Sequence, residues 1–315
     1  MTHSDLLKYA ILTENSDYGH LTSRQLHELL EEAEEGADFG DFYHEMEMDS
    51  PVVEFWRGKG FLEEAESLHS HNFYEILFCT QGKVQYLLGT TRCFIENGDF
   101  MVIPPGISHC RLFHARKPYV RYGMWVNASR MREFEQEFSG FSFPKEESHV
   151  VHIQGALWDE LEGYFSRGWQ ATREQGPLWE AEAYGQAVML LIKMCQALGE
   201  PSGTMVSERE PDLLDNLLAY VESNLANKIT LLDTAHRFFV SESHITHLFQ
   251  KKMRSSFYRY VTQRRLIAAK NRIERGQALE QVGEEVGFAS YSNFYRAFVK
   301  EYGISPSRYR DMYLK

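Results

Sequence analysis

VGEEVGFASYSNFYRAFVKEYGISPSRYR, residues 282–310, decides the fold once it is set beside ITLLDTAHRFFVSESHITHLFQKKM, residues 229–253. At an offset of 49 residues Ile245 falls on Phe294, His247 on Arg296 and Phe249 on Phe298; Ser256 falls on Ser305 and Tyr260 on Tyr309. Ala235 meets Gly283 at an offset of 48, so one turn is a residue longer. Each copy carries the parts of a helix-turn-helix. A small residue (Ala235 or Gly283) lets two helices cross closely, and a short turn follows (Phe239-Val240 or Gly287-Phe288). The second helix has apolar residues four apart (Ile245 and Phe249, Phe294 and Phe298), which leaves its other face polar. Such a face suits a major groove about 12 Å wide. One hairpin of this kind is a weak signal; two in tandem, joined by a long helix, are specific.

Working outward, consecutive helices are predicted near 212–226, 231–238, 241–252, 256–274, 278–286, 290–301 and 305–313. Asp212, Thr230, Ser241 and Ser305 stand at N-caps, and Gly276 and Gly303 follow helix ends. Residues 212–315 resemble the DNA-binding domain of the arabinose-regulator (AraC/XylS) family. Gly287, Phe288, Phe294, Phe298, Gly303, Pro306, Tyr309 and Arg310 carry the match. The resemblance implies that the second helix of each unit reads DNA, through Ser243, His244, Thr246, His247 and Gln250 in the first and Tyr291, Ser292, Asn293 and Arg296 in the second. Arg296 is the strongest candidate, because a guanidinium grips a guanine edge with two hydrogen bonds. Lys251, Lys252, Arg264, Arg265 and Lys300 are expected on phosphates, which set affinity and register. Two departures stand out: Arg254 where the family usually has glycine, and Arg272 at a usually apolar position.

The charge is divided unequally. Residues 211–315 hold 16 Lys/Arg against 11 Asp/Glu, and the first 210 residues hold 17 against 34. A basic third joined to an acidic remainder fits a nucleic-acid-binding module fused to something else. With 43% hydrophobic and 25% charged residues, the 315-residue chain is not disordered as a whole. Its length allows two or three domains. No apolar run approaches the roughly 18 residues that span a bilayer, and MTHSDLLKYA lacks the layout of a signal peptide. A cytoplasmic protein with no membrane partner is expected. Cys79, Cys93, Cys110 and Cys195 show no CxxC spacing and read as small apolar residues in a reducing compartment.

Upstream, residues 1–50 read as a helical, acidic extension; from Glu31 to Asp49 there are nine carboxylates and no Lys or Arg. Residues 51–127 change to a two-residue period, as in Tyr74–Phe78 and Val84–Leu88, broken by Gly82, Gly89, Gly98 and Pro104-Pro105-Gly106. This pattern predicts a sandwich or barrel. His69-x-His71-x3-Glu75-x6-Gly82, followed by Gly98-x5-Pro104-x-Gly106-x2-His109, resembles the two motifs of the cupin fold, a small jelly roll. The first motif has Glu63 in place of its leading glycine, and the second has Phe113 in place of its closing asparagine. In metal cupins the matching residues, here His69, His71, Glu75 and His109, converge on one ion. A divalent transition metal such as Fe, Mn, Ni or Zn is thus one reading. In the other, the four are polar groups in an effector pocket that Tyr86, Arg111, Tyr122 and Trp125 help to line; no cofactor is then required.

After Asn127 helical periodicity takes over. Residues 128–200 form a helical region in which Ala187, Val188, Leu191, Met194, Cys195 and Leu198 make one apolar stripe. That stripe is expected either at a homodimer interface or against the barrel of its own chain. Residues 201–211 read as a linker. The expected fold is α+β and multidomain: a cupin-like barrel with flanking helices, then an all-α tandem helix-turn-helix domain. The expected function is a transcriptional regulator that binds double-stranded promoter DNA, responds to a small polar effector such as a sugar, and is not an enzyme. The alternatives are a metal-dependent cupin enzyme or metal sensor with an attached helical module, or a barrel that serves association alone.

Overall fold

The computed structural model describes residues 48, 50, 52–61, 68–112, 118–199 and 211–313. Nearly all of the expected acidic extension and of the linker, and both Glu63 and Phe113, lie outside the described residues. The chain divides into two compact units, one around residues 70–208 and one around residues 209–315.

The first unit contains eight strands among the described residues: β1 (Val53–Phe61), β2 (Phe73–Gln81), β3 (Lys83–Leu88), β4 (Thr91–Glu96), β5 (Asp99–Ile103), β6 (His109–Leu112), β7 (Pro118–Asn127) and β8 (His149–His152). They make a five-stranded sheet in the order β1-β7-β2-β5-β8 and a three-stranded sheet in the order β4-β3-β6. All the pairings are antiparallel. This is the double-sheet architecture expected from the two-residue period. Strand β2 is buried from Phe73 through Cys79 without alternation, because both faces of its sheet are covered. Gly89, at φ 61°, makes the two-residue hairpin between Leu88 and Thr91.

Helix α1 (Ala128–Glu137) follows β7, with the Asn127 side chain accepting from the Ser129 amide. Then come α2 (Ala156–Glu174) and α3 (Trp179–Leu198). These helices pack on the outer face of the five-stranded sheet, where Phe55, Phe78, Tyr122, Phe165, Leu190 and Met194 share one core. Gly168 permits the approach: a Cβ there would sit 2.7 Å from the Phe55 ring. The stripe on α3 belongs to this core. Ala187, Leu191 and Met194 are buried within the chain, while Val188, Cys195 and Leu198 of the same stripe are half-buried. The sheet of its own chain covers the buried half of the stripe.

The second unit is helical: α4 (Leu213–Ser223), α5 (Leu231–Arg237), α6 (Glu242–Met253), α7 (Phe257–Glu274), α8 (Leu279–Glu285), α9 (Tyr291–Tyr302) and α10 (Pro306–Tyr313). Asp212 and Asp215 form a reciprocal capping box at α4. Thr230, Ser241, Ser256 and Ser290 cap α5, α6, α7 and α9 through their hydroxyls. Helix α4 stops short of the expected residue 226, because Asn224 leaves the helical region, its backbone amide donating to the Val221 carbonyl and its side-chain Nδ2 to the Tyr220 carbonyl.

The duplicated sequence folds as a duplicated structure. The Val240 amide donates to the Ala235 carbonyl at 3.0 Å, and the Phe288 amide to the Gly283 carbonyl at 2.9 Å. The turn residue is left-handed in both copies, Phe239 at φ 56° and Gly287 at φ 94°. So is the cap of each second helix, Arg254 at φ 51° and Gly303 at φ 76°. The departure at Arg254 therefore keeps the family's backbone at a conformational cost. Phe239 bears the same cost with a ring that is 96% exposed. Phe239→Gly is expected to stabilise the chain by about 1 kcal/mol, since it relieves the left-handed strain and gives up no buried area. Urea denaturation of the full chain checks this, and a destabilised variant would assign the ring a contact.

Candidate DNA-binding face and effector site

In each helix-turn-helix the inner stripe is fully buried: Ile245 and Phe249 in α6, Phe294 and Phe298 in α9. Amphipathic geometry then points the remaining residues outward. Ser243, His244, Thr246, His247 and Gln250 are all exposed on α6, as are Tyr291, Ser292, Asn293 and Arg296 on α9. The Thr246 hydroxyl donates to the Glu242 carbonyl within its own helix. Arg296 is braced: its Nη2 donates to Asn293 Oδ1 at 2.7 Å and its Nε to the Ser292 carbonyl at 3.3 Å. Tyr295, exposed beside Arg296, shares this face and was not among the residues expected from the sequence.

The expected phosphate contacts divide into two groups. Lys251, Lys252 and Lys300 are exposed. Arg264 and Arg265 are used inside the domain, which corrects that expectation. Arg264 is buried and donates from Nε to Glu222 of α4 at 2.9 Å. Arg265 donates to the Leu225 carbonyl at 3.0 Å and the Asn227 carbonyl at 2.7 Å, and burial lowers its pKa. Both tie α7 to the end of α4. Arg272, at a usually apolar position, pairs with Glu285 across the second unit.

In the first unit the β register sorts side chains between the barrel interior and the helix layer. Paired residues in an antiparallel sheet share a face, and neighbours along a strand alternate. Trp125 is paired with Glu75 on one side and Glu54 on the other. Glu75 bonds His109 of the opposite sheet, so this set faces the interior. Leu88 is paired with His109 and Tyr86 with Arg111, which places Tyr86 and Arg111 on the interior face too. Tyr122 does not join them. Three residues from Trp125, it has the opposite parity and packs against Phe165 and Trp169 of α2, with its hydroxyl donating to Glu162. The expectation of Tyr122 as a pocket residue is corrected accordingly. The interior instead gains Trp56, Tyr119 and Arg121, paired with or two and four residues from positions on the Trp125 face. The sequence signal for them was the alternation itself.

Glu75 is the hub of the histidine end. Its Oε2 lies 3.1 Å from His109 Nε2 and 3.6 Å from His71 Nε2, while Trp125 Nε1 donates to Oε1 at 3.1 Å. Burial pushes the Glu75 carboxyl up, but the hydrogen bonds from the two imidazoles outweigh it and hold the pKa well below the carboxylate range. Burial lowers the pKa of His71 despite Glu75. Nδ1 of His71 lies 2.9 Å from the Phe73 carbonyl, and Nδ1 of His109 lies 2.9 Å from the Ile107 carbonyl. Nδ1 of each ring faces a carbonyl and Nε2 faces Glu75, so Nε2 is the atom each ring would offer to a metal, with Nδ1 then carrying the proton. His69, His71 and His109 offer ligand atoms within 4.8 Å of one another, with Glu75 beside two of them. Three imidazoles and a carboxylate fit a divalent transition metal. The thiols of Cys79 and Cys93 are pushed by burial to about 12; among the described residues all four cysteines are free.

An AraC-like ligand binding domain matches residues 61–178 and a helix-turn-helix domain matches residues 234–312. The uncharacterized HTH-type transcriptional regulator YdiP of Escherichia coli is 32% identical over 254 residues, which cover 78% of this chain and 81% of that protein. The melibiose operon regulatory protein of Escherichia coli is 22% identical over 262 residues, covering 78% and 83%. The raffinose operon regulatory protein RafR of Pediococcus pentosaceus is 26% identical over 240 residues, covering 75% and 84%. A ligand-binding barrel followed by a tandem helix-turn-helix domain defines a DNA-binding transcriptional regulator. The chain belongs to the AraC family. Among the described residues no helix is long and apolar enough to cross a membrane.

The His71 shift has a consequence for stability. A histidine whose folded pKa lies below its ordinary value of 6.5 takes up a proton more readily when unfolded. Stability is therefore lost as the pH falls from 6.5 toward the depressed value. Between pH 7 and pH 5 the melting temperature of the wild type is expected to fall more steeply than that of His71→Gln. Parallel slopes would show that His71 does not contribute to acid sensitivity.

Proposed function

We propose that this chain is a sequence-specific regulator in which a small polar effector in the barrel adjusts binding to promoter DNA. The observation that carries the reading is the pairing of two exposed, polar helix faces, each on a fully buried apolar stripe, with a barrel interior lined by Glu75, His71, His109, Tyr86, Arg111 and Trp125. Arg296 reads a base; Ser243, His244, Thr246, His247, Gln250, Tyr291, Ser292 and Asn293 complete the reading set; Lys251, Lys252 and Lys300 hold phosphates. Residues 51–127 sense, 128–200 transmit, 201–211 link and 212–315 bind DNA. Two regulators similar to this chain are named for melibiose and raffinose operons, which supports a sugar-like effector. A homodimer is also proposed, with its interface along the half-buried edge of the α3 stripe. The exposed Phe138, Met189 and Ile192 support an apolar surface there, beside a groove of about 310 Å³ lined by Phe134, Phe141 and Cys195.

A second reading is favoured by the three-histidine group alone. In it, His69, His71, Glu75 and His109 hold a divalent transition metal, which supplies Lewis acidity for binding an anionic or hydroxylated ligand. Elemental analysis of purified protein and of a His69→Ala/His71→Ala variant separates the two.

Arg296→Ala is expected to weaken binding to the preferred site by about 1–3 kcal/mol and to relax one base position. Lys251→Ala is expected to weaken binding to all sequences alike and to reduce the salt slope by about 1. His109→Ala is expected to abolish the effector response and leave basal DNA binding intact. Binding-site selection at two salt concentrations, with and without cell metabolites, tests all three. Unchanged preference at every base removes Arg296 from the reading set, and a retained response in His109→Ala takes the effector out of the barrel.

A further inference from the structure

The barrel interior is polarised along β7, and among the described residues the Arg121 end has no counter-ion. At one end Trp125 is flanked in register by two carboxylates, Glu54 on β1 and Glu75 on β2. Four residues away, about 13 Å along the strand, Arg121 is flanked by Gly58 and Cys79. Arg121 is nine-tenths buried. Its guanidinium lies 5.0 Å from the Trp56 ring and 5.1 Å from the Tyr119 ring. Among the described residues no carboxylate comes within ion-pair distance of Arg121, and its buried Nε has no acceptor. The neighbouring Trp56 Nε1 is buried and lacks an acceptor as well. Asp99 faces the same end but is occupied by His152 Nδ1 at 2.7 Å and by the Glu96 amide at 2.7 Å.

Stacking on two rings fixes the guanidinium but does not neutralise it, and a buried unpaired charge is costly. Gly123 maintains the arrangement: a Cβ there would lie 2.1 Å from the Trp56 indole, so the indole lies flat across β7. Two donors that lack acceptors, one of them cationic, ask for an anionic acceptor. Tyr119, whose buried hydroxyl has no hydrogen-bond partner among the described residues, adds a further polar group beside it. We propose that the effector is a small hydroxylated organic anion whose carboxylate or phosphate monoester is held by Arg121 and Trp56 Nε1. This rests on reading the barrel as the effector site and assigns the ligand its charge.

The test is a thermal-shift and calorimetric panel on the full chain in which each anion has an uncharged counterpart: galacturonate and galactose 6-phosphate with galactose, gluconate with glucitol, and lactate with propane-1,2-diol. At least one anion is expected to raise the melting temperature more than its counterpart. The carboxylate and phosphate arms identify which group is taken. Arg121→Met, which keeps the stacking volume, is expected to weaken that anion on the order of 10- to 100-fold and to leave the melting temperature of the ligand-free protein unchanged or higher. Should that variant fail to fold, Trp56→Phe, which removes one donor and keeps a ring, is expected to reduce the same excess. The proposal is overturned if no anion exceeds its counterpart, or if the excess survives in Arg121→Met or, where that variant fails to fold, in Trp56→Phe. Neutral members that bind wild type and Arg121→Met alike, but not His109→Ala, would retain the effector site and remove its charge selectivity.

Discussion

Strand β7 lies between β1 and β2, and the pleat divides its side chains between two environments one backbone thick. Tyr119, Arg121, Gly123 and Trp125 face the barrel interior, while Tyr122, Met124 and Val126 join the core beneath the helices. A one-residue slip would exchange the sets, placing a guanidinium in an aromatic core and a methionine against Glu75. Pairing on both sides of β7 prevents the slip. The indole of Trp56 over Gly123 adds a steric pin, because no other residue at 123 leaves room for it. The electrostatics of the interior, with Glu54 and Glu75 at one end and Arg121 at the other, therefore follow from register.

The DNA-binding unit uses repetition, and its two copies are unequal. The second has glycine at the helix crossing, the turn and the cap: Gly283, Gly287 and Gly303. The first has Ala235, Phe239 and Arg254. The backbone is the same, so the first copy bears strain that the second avoids. Gly287 has a further reason to lack a side chain, since a Cβ would lie 2.0 Å from the Leu225 carbonyl. Arg265 donates to that same carbonyl while its guanidinium lies near the Phe288 ring. One arginine thus holds the end of α4 against the turn of the second unit, a role its place on a basic helix conceals.

Legibility in the sequence followed the range of the interaction that fixes each residue. The helices of the second unit were readable to within a few residues, because their caps and stripes are local: Ser241 meets the His244 amide three residues on, and Ile245 and Phe249 are one turn apart. The histidine end was readable because the motif spacing and the strand period agree. Arg264 was not, since its partner Glu222 is 42 residues away and nothing nearby distinguishes a buried arginine from one on phosphate. The α3 stripe was visible as apolar, but periodicity does not say whether a neighbouring chain or the same chain covers it. Tyr122 and Arg121 were separable from sequence alone: once Trp125 is placed inside, counting back by two reaches Arg121 and skips Tyr122.

The same alternation supplies a mechanical link between sensing and the helical layer. Trp56 faces the interior and Arg57, the next residue, faces outward, where its guanidinium lies 5.5 Å from the rings of both Tyr122 and Trp169. Arg121 faces the interior and Tyr122, the next residue, stacks on Phe165 of α2. A ligand that moves Trp56 or Arg121 acts on peptides whose other neighbours are embedded in the α2 and α3 packing. Dense cores switch between discrete arrangements and do not deform smoothly. The size of any response is bounded by how much better the ligand binds one arrangement than the other. A charge-bearing site is well suited to that requirement. The interaction of an anion with a buried guanidinium is steep in distance at low dielectric, so a small displacement of β1 against β7 changes the affinity far more than the same displacement would around a neutral ligand.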